Sequence, residues 1–259
     1  MSGHRRIWAG WATLAGLVLF WFGLTTWTGI VSAGRFPSPA AFWLSLVQIM
    51  TRGYAGGQLV THAWHSLELV AMGFLVAIAT GVPLGLWIGW SRRAEAAINP
   101  VFLIIRPIPP LAWIPLAILW LGLGDAAKIM VIWFAAFVPS VINTFSGVRT
   151  IERPVIEAAQ MLGTPLWRFV IEILSPAAAP MIFTGMRLSL QAAWTTLVAA
   201  ELVGALVGVG VVLNVAQQDI YPGMILVGML TVGVLGFATT WLLSRVEHRV
   251  LAWNVAAKD

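Results

Sequence analysis

Three observations predict an all-α, polytopic membrane protein. The chain is 59% hydrophobic and only 10% charged, its mean hydropathy is +0.89, and six separate apolar segments are each long enough to cross a bilayer. A span needs roughly 20 apolar residues, and soluble domains carry about a quarter charged residues. Fifteen tryptophans and only two lysines fit the same class, because aromatic rings collect at bilayer interfaces and charge is excluded from hydrocarbon. Cysteine is absent, which removes disulfides and thiolate metal sites.

The six predicted helices run from Ile7 to Val31, Ala63 to Trp90, Val101 to Leu123, Ile129 to Val148, Phe183 to Val203, and Met224 to Leu243. The first follows Arg5 and Arg6 and precedes Val31-Ser32-Ala33, which looks like a signal cleavage site. Its apolar run exceeds the 7 to 15 residues of a signal core, so it reads as a retained helix. If the N-terminus is cytoplasmic, Arg5, Arg6, Arg92, Arg93, Arg149, Arg153, Arg168, Arg245, Arg249 and Lys258 fall inside, against Arg35, Arg52 and Lys128 outside. The positive-inside bias therefore predicts both termini in the cytoplasm and assigns the net charge of +5 to topology rather than to nucleic acid.

Between the first two spans, Ser38 as N-cap, Pro39 at the first helical position and Gly53 past the end predict a short helix. Phe42, Leu46 and Ile49 share one face, which suggests a helix lying on the outer membrane surface. The organisation expected is an N-terminal part over residues 1–60, a transmembrane core over 61–250 and a tail over 251–259.

The third span contains RPIPPLAWIP, Arg106 to Pro115, with four prolines. Internal prolines break a helix, and membranes tolerate the freed carbonyls only where protein or water satisfies them, so a broken helix of the kind found at transport gates is predicted. Polar residues at membrane depth mark either a pathway or helix–helix hydrogen bonds. The candidates are Glu68, Arg106, Asn143, Arg187, Gln191, Thr195, Thr196 and Glu201. Gln191, Thr195 and Arg187 fall near one stripe of the fifth span. The stretch from Gly204 to Gly223 reads as an irregular outer element.

The inner loop over residues 149–176 holds EAAQMLGTPLWRFVIEILSP, Glu157 to Pro176. Glu157 to Leu162 is helix-forming, Gly163 suits a left-handed cap, Thr164 suits an N-cap and Pro165 the first turn of a second helix, Leu166 to Leu174. In that helix Arg168 and Glu172 stand at i, i+4, and Phe169 and Ile173 share a face. Two short amphipathic helices at about a right angle make either a docking knob or a loop resting on the inner leaflet.

Catalytic chemistry is not written in the chain. A GxxxxGK[ST] nucleotide loop needs lysine after glycine, yet Lys128 and Lys258 each follow alanine. His62 and His65 stand at i, i+3 but lack a third ligand nearby, and no HExxH or serine-protease elbow is present.

Glu157-Ala158-Ala159, three residues, Gly163, nine residues and Ile173-Leu174-Ser175-Pro176 resemble the EAA loop of permease subunits of binding-protein-dependent ABC importers. RPIPPLAWIPLAILWLGLGDAAKI, VRTIERPVIEAAQMLG, GMRLSL and TTLVAAELVG resemble the nitrate, sulfonate and taurine branch, over roughly residues 60 to 250. Ser175 departs from the usual leucine. The resemblance implies a type I ABC importer permease (MetI-like) fold with cytoplasmic EAA coupling helices, working by alternating access in the inner membrane. It implies that Glu157, Ala158, Ala159, Gly163, Thr164 and Pro165 couple to a separate ATPase, present in two copies. It further implies a periplasmic or lipid-anchored solute-binding protein and a second permease copy, most simply as a homodimer. No cofactor is expected on this chain itself, with ATP and magnesium held by the ATPase. The passage would be lined by Arg106, Asn143, Arg187, Gln191, Thr195, Thr196 and Glu201. The competing class is an ion-coupled secondary transporter using Glu68 or Glu201 as proton carrier.

Overall fold

A computed structural model describes residues 3–27 and 36–255, and these form helices joined by short turns. No strand forms among them; a single antiparallel bridge joins Tyr54 and Gly57. The chain divides into two compact units, Met1–Trp64 with Leu206–Gly233, and His65–Ala205 with Val234–Asp259.

In the first unit, α1 (Gly3–Phe22) continues as a wider helical turn over Gly23–Trp27. The expected first span from Ile7 to Val31 lies partly outside the described residues. Helix α2 (Pro39–Thr51) begins as its sequence dictates, with the Ser38 hydroxyl accepting a hydrogen bond from the Ala41 N–H at 3.2 Å. Gly53 takes a φ of 80° just beyond its end.

The Phe42, Leu46 and Ile49 face of α2 is covered by protein. It packs with α10 (Val209–Gln218) and the start of α11 (Pro222–Val250) around Val212, Ala216, Met224 and Val227. Trp43, Leu44, Val47 and Met50, on other sides of the helix, are exposed. A helix apolar on most sides gives no periodic signal as to which side meets protein. The stretch expected to be irregular contains α10, whose Val212 and Ala216 are fully buried.

A buried histidine ties the turns of this unit. His62 Nδ1 accepts from the Gly208 N–H at 3.0 Å, and Nε2 lies 3.1 Å from the Tyr54 carbonyl. A carbonyl only accepts, so Nε2 is the donor to Tyr54 while Nδ1 is the acceptor.

The second unit is built on α6 (Asp125–Arg149). Along α3 (Leu59–Trp90), Gly73, Ala77, Gly81, Gly85 and Gly89 recur every four residues, and Ile132, Ala136, Ser140, Thr144 and Val148 recur likewise on α6. A Cβ on Gly81 would stand 2.8 Å from Ser140 Oγ, and one on Gly85 would stand 2.6 Å from Thr144 Cβ. The backbones therefore touch, which is how membrane helices associate without a hydrophobic driving force between them. The other side of α6 packs on α9 (Ser175–Leu202), where Gly185 meets Asn143 and Gly147 meets Met181. Ser189 donates to the Ala136 carbonyl at 2.6 Å.

Among the described residues, four helices are long and apolar enough to cross a membrane: Leu59–Trp90, Asp125–Arg149, the run Leu166–Leu202, and Pro222–Val250. A fifth span forms if α4 (Arg92–Ile105) is counted with the pair made by the tight turn Pro110–Trp113 and α5 (Ile114–Leu121), which are bent by 86°. The described residues thus hold four or five of the six expected spans, with the third broken as predicted. The third span is broken because Pro107, Pro109 and Pro110 carry no N–H to continue the helix.

Candidate coupling loop and candidate passage face

Helix α6 ends at Arg149, and α7 (Arg153–Met161) opens with Pro154 in its first turn. Ala159 is buried with Val148, Phe169, Leu174, Ala178 and Ile182, whereas Glu157 and Ala158 are exposed. The end of α7 is a Schellman closure: the Gly163 N–H bonds the Gln160 carbonyl at 3.0 Å and the Thr164 N–H bonds the Ala159 carbonyl at 3.2 Å. Gly163 stands in the left-handed region at φ 65° with open space around it, so backbone conformation and not crowding selects glycine.

Two sequence expectations shift here. Thr164 does not cap the next helix: Pro165, extended at φ −66° and ψ 149°, occupies the cap position before α8 (Leu166–Arg168), and no side chain caps it. Nor is the second helix separate. It passes through a wider helical segment, Phe169–Leu174, into α9, and the Ser175 N–H reaches back five residues to the Val170 carbonyl. Pro176 cannot supply the next donor, and a wider turn absorbs the mismatch. The Arg168–Glu172 pair forms at 4.0 Å but is exposed and weak.

Around Gly163 the surface is apolar. Met161 is 88% exposed and Leu162 83%, with Leu166 and Trp167 also exposed. From below, Phe169 stacks on Trp90 with ring centroids 4.4 Å apart, tying this loop to the end of α3. Arg149 at the end of α6 pairs with Glu95 of α4. The loop therefore presents an exposed apolar tip above a buried cluster that holds it to the membrane helices. Its side chains suit a protein groove.

The expected passage residues divide into groups. Gln191 and Thr195 are exposed on one face of α9, four residues apart. Thr196, one position round the helix, is buried, and so is Glu201, whose Oε1 accepts from Ser66 Oγ at 2.7 Å. These two residues lie in the protein core and not on the Gln191 and Thr195 face, because a step of one or six residues leaves the 3.6-residue stripe. Asn143 donates to the Pro139 carbonyl of its own helix at 2.8 Å and lies in the contact with α9. Arg187 is held by Glu247 of α11 at 2.8 Å. Arg106 is exposed at the break between α4 and α5, and Glu68 is exposed on α3. The signal missed in the sequence was Glu247, sixty residues from its partner.

At the start of α6, Asp125 joins Lys128 at 2.9 Å and lies 3.3 Å from His65 Nε2. His65 and His62 thus have different partners, and no group of three His, Cys, Asp or Glu side chains able to hold a metal occurs among the described residues.

Several apolar spans, one of them broken at prolines, and an exposed, glycine-closed loop between two of them make this a polytopic helical membrane protein. Residues 81–252 match the family described as binding-protein-dependent transport system inner membrane component. A probable ABC transporter permease protein of Brucella abortus (strain 2308) is 36% identical over 244 residues, covering 93% of this chain and 96% of that protein. The taurine transport system permease protein of Escherichia coli (strain K12) is 30% identical over 251 residues, covering 96% and 91%. The bicarbonate transport system permease protein of Synechococcus elongatus is 33% identical over 248 residues, covering 92% and 88%. The chain belongs to this family of ABC importer permeases and is a multi-pass inner-membrane protein. Family membership brings an ATPase and a substrate-binding protein as partners.

Proposed function

We propose that the chain is the permease of an ATP-driven importer that moves a small anionic solute of the sulfonate, carboxylate or nitrate kind into the cytoplasm by alternating access. The observation that carries this reading is the exposed apolar tip Met161–Leu162 around Gly163, held to the membrane helices through Phe169 on Trp90 and Ala159 in the buried cluster. Such a tip fits a groove on an ATPase and turns its closure into helix movement, which requires contacts that differ between two states. Glu157, Ala158, Gly163, Thr164 and Pro165 make this contact, with Ala159 supporting it from beneath. Buried Ala159 sets α7 on the core, while Glu157 and Ala158 face the partner.

In this reading the chain hydrolyses nothing and binds no cofactor. ATP and magnesium belong to two ATPase copies, two permease copies enclose one passage, and both termini are cytoplasmic. The solute class is supported by relatives named for taurine and bicarbonate. Gln191 and Thr195 face the passage.

The test is purification of the tagged chain from gently solubilised native membranes, with mass spectrometry and an ATPase assay on the eluate. Co-purification of an ATP-hydrolysing subunit and a solute-binding protein is expected. A chain that emerges alone and reconstitutes ion-coupled uptake would overturn the reading.

A further inference from the structure

We propose that Arg106 and Asn99 form an oxoanion subsite at the break between α4 and α5, taking a sulfonate, carboxylate or phosphate group; the inference rests on the anion-importer reading above. Asn99 stands seven residues before Arg106, two helical turns, so both occupy one face of α4. They line a cavity of about 100 Å³ together with Phe102 of α4 and Val141, Ile142 and Phe145 of α6. That is the space of about three waters, enough for an oxoanion head group.

The hydrogen-bonding supply at this break comes from side chains. Pro107, Pro109 and Pro110 have no N–H, the Arg106 N–H is taken by the Phe102 carbonyl at 2.9 Å, and the Ile108 N–H by the Ile105 carbonyl at 3.1 Å. The guanidinium offers a planar fork that matches an oxoanion, and the Asn99 amide adds a further donor. No carboxylate lines the cavity.

Arg106 has no ion-pair partner among the described residues, in contrast to Arg149 on Glu95 and Arg187 on Glu247. A cation at a span break, facing an otherwise apolar wall, is costly unless an anion or water meets it. The carbonyl end of α4 brings partial negative charge, which a neutral amide could not overcome. The subsite therefore stands on Arg106, with Asn99 orienting the bound group. Two sources supply the chemistry: the transported solute and the phosphate of an anionic phospholipid.

The experiment uses the purified permease with its ATPase in nanodiscs. Equilibrium dialysis with radiolabelled methanesulfonate reads the solute arm in phosphatidylcholine discs. Native mass spectrometry after detergent washing reads retained phosphatidylglycerol in discs that contain it. Saturable methanesulfonate binding is expected, weakened about tenfold or more by Arg106→Gln and a few-fold by Asn99→Leu, with part of it kept by Arg106→Lys. Retained phosphatidylglycerol that Arg106→Gln loses, without saturable methanesulfonate binding, also supports the subsite and assigns the oxoanion to lipid. Unchanged binding of both probes in Arg106→Gln and Asn99→Leu, each monodisperse, overturns it. Because Arg106→Lys and Asn99→Leu are read alongside, misfolding of Arg106→Gln alone does not decide the matter. Failure of the importer reading would show separately, as a wild-type chain that captures no ATPase.

Discussion

Ser66 of α3 donates a hydrogen bond to Glu201 of α9 at 2.7 Å, and both residues are buried. An acidic side chain this enclosed is either a structural acceptor or a proton carrier, and the two roles respond differently to an isosteric amide. Glu201→Gln keeps an oxygen for Ser66 and removes the titrating group. In an importer it retains ATP-driven uptake close to wild type, whereas Glu201→Ala leaves the Ser66 hydroxyl short of this acceptor and costs about 1–3 kcal/mol. Loss of uptake in Glu201→Gln, with normal amounts of folded protein, would point to proton coupling instead. Uptake in proteoliposomes and thermal unfolding in detergent decide between them.

Glycine at position 163 is selected by its φ of 65° alone, since nothing stands within 4 Å of where a Cβ would be. Gly163→Ala should cost about 1–2 kcal/mol in the loop, and Gly163→Asn less, because asparagine tolerates this conformation. Both variants should insert normally. Uptake per ATP hydrolysed should fall in the order wild type, Asn, Ala. The companion variant Glu157→Lys reverses charge on the exposed face of α7 and should abolish uptake without altering insertion. Unchanged ATP-driven uptake in that variant would remove Glu157 from the coupling contact.

How much of this was legible in the sequence depends on the range of the interaction involved. Local chemistry read well: the Ser38 cap, the Gly53 stop, the Gly163 turn and the proline break all depend on residues within a few positions of one another. Partners distant in sequence did not. Periodicity placed Phe42, Leu46 and Ile49 on one face but could not say that α10 would cover them, because lipid and protein interior are equally apolar. Likewise Thr196 and Glu201 are polar residues in an apolar span, a pattern shared by pathway walls and helix contacts. The helical period sets them apart from Gln191 and Thr195, and only the packing shows that their side of α9 is the buried one.

The contact of α3 with α6 leaves no room for a side chain at Gly85, where a Cβ would meet Thr144 Cβ at 2.6 Å and the Val141 carbonyl at 2.8 Å. Gly85→Val must push the two helices apart over several turns, so destabilisation of about 3 kcal/mol or more is expected, at the upper end for overpacking. Gly233→Val, where nothing lies within 4 Å, is the control and should change the melting temperature little. Equal melting temperatures for Gly85→Val and wild type would show that this seam is looser than its geometry.

His62 satisfies two backbone groups from opposite edges of its ring, the Gly208 N–H and the Tyr54 carbonyl, with no exposed surface. His62→Phe preserves much of the volume and leaves the Gly208 N–H unpaired, while the Tyr54 carbonyl keeps the Gly57 N–H at 3.2 Å, for an expected loss of about 1–3 kcal/mol. The loss should appear as earlier proteolysis in the turn around Gly57. A His62→Phe protein as resistant as wild type would mean that water replaces the imidazole.

Tyr54, in the turn between α2 and α3, donates to Asp219 Oδ2 at 2.5 Å. Burial, and then the neighbouring Asp219 carboxylate, push its phenol well above the ordinary value of about 10. The folded protein therefore holds this proton at pH values where the unfolded chain has lost it. Stability from this source is complete below pH 10 and declines as pH rises from there toward the folded-state value. With only two tyrosines in the chain, tyrosinate absorbance resolves the effect. In Tyr221→Phe the remaining tyrosine should titrate late, and in Asp219→Asn with Tyr221→Phe it should titrate earlier. A Tyr54 that ionises near pH 10 in the folded protein would show that the Asp219 contact does not persist in the membrane.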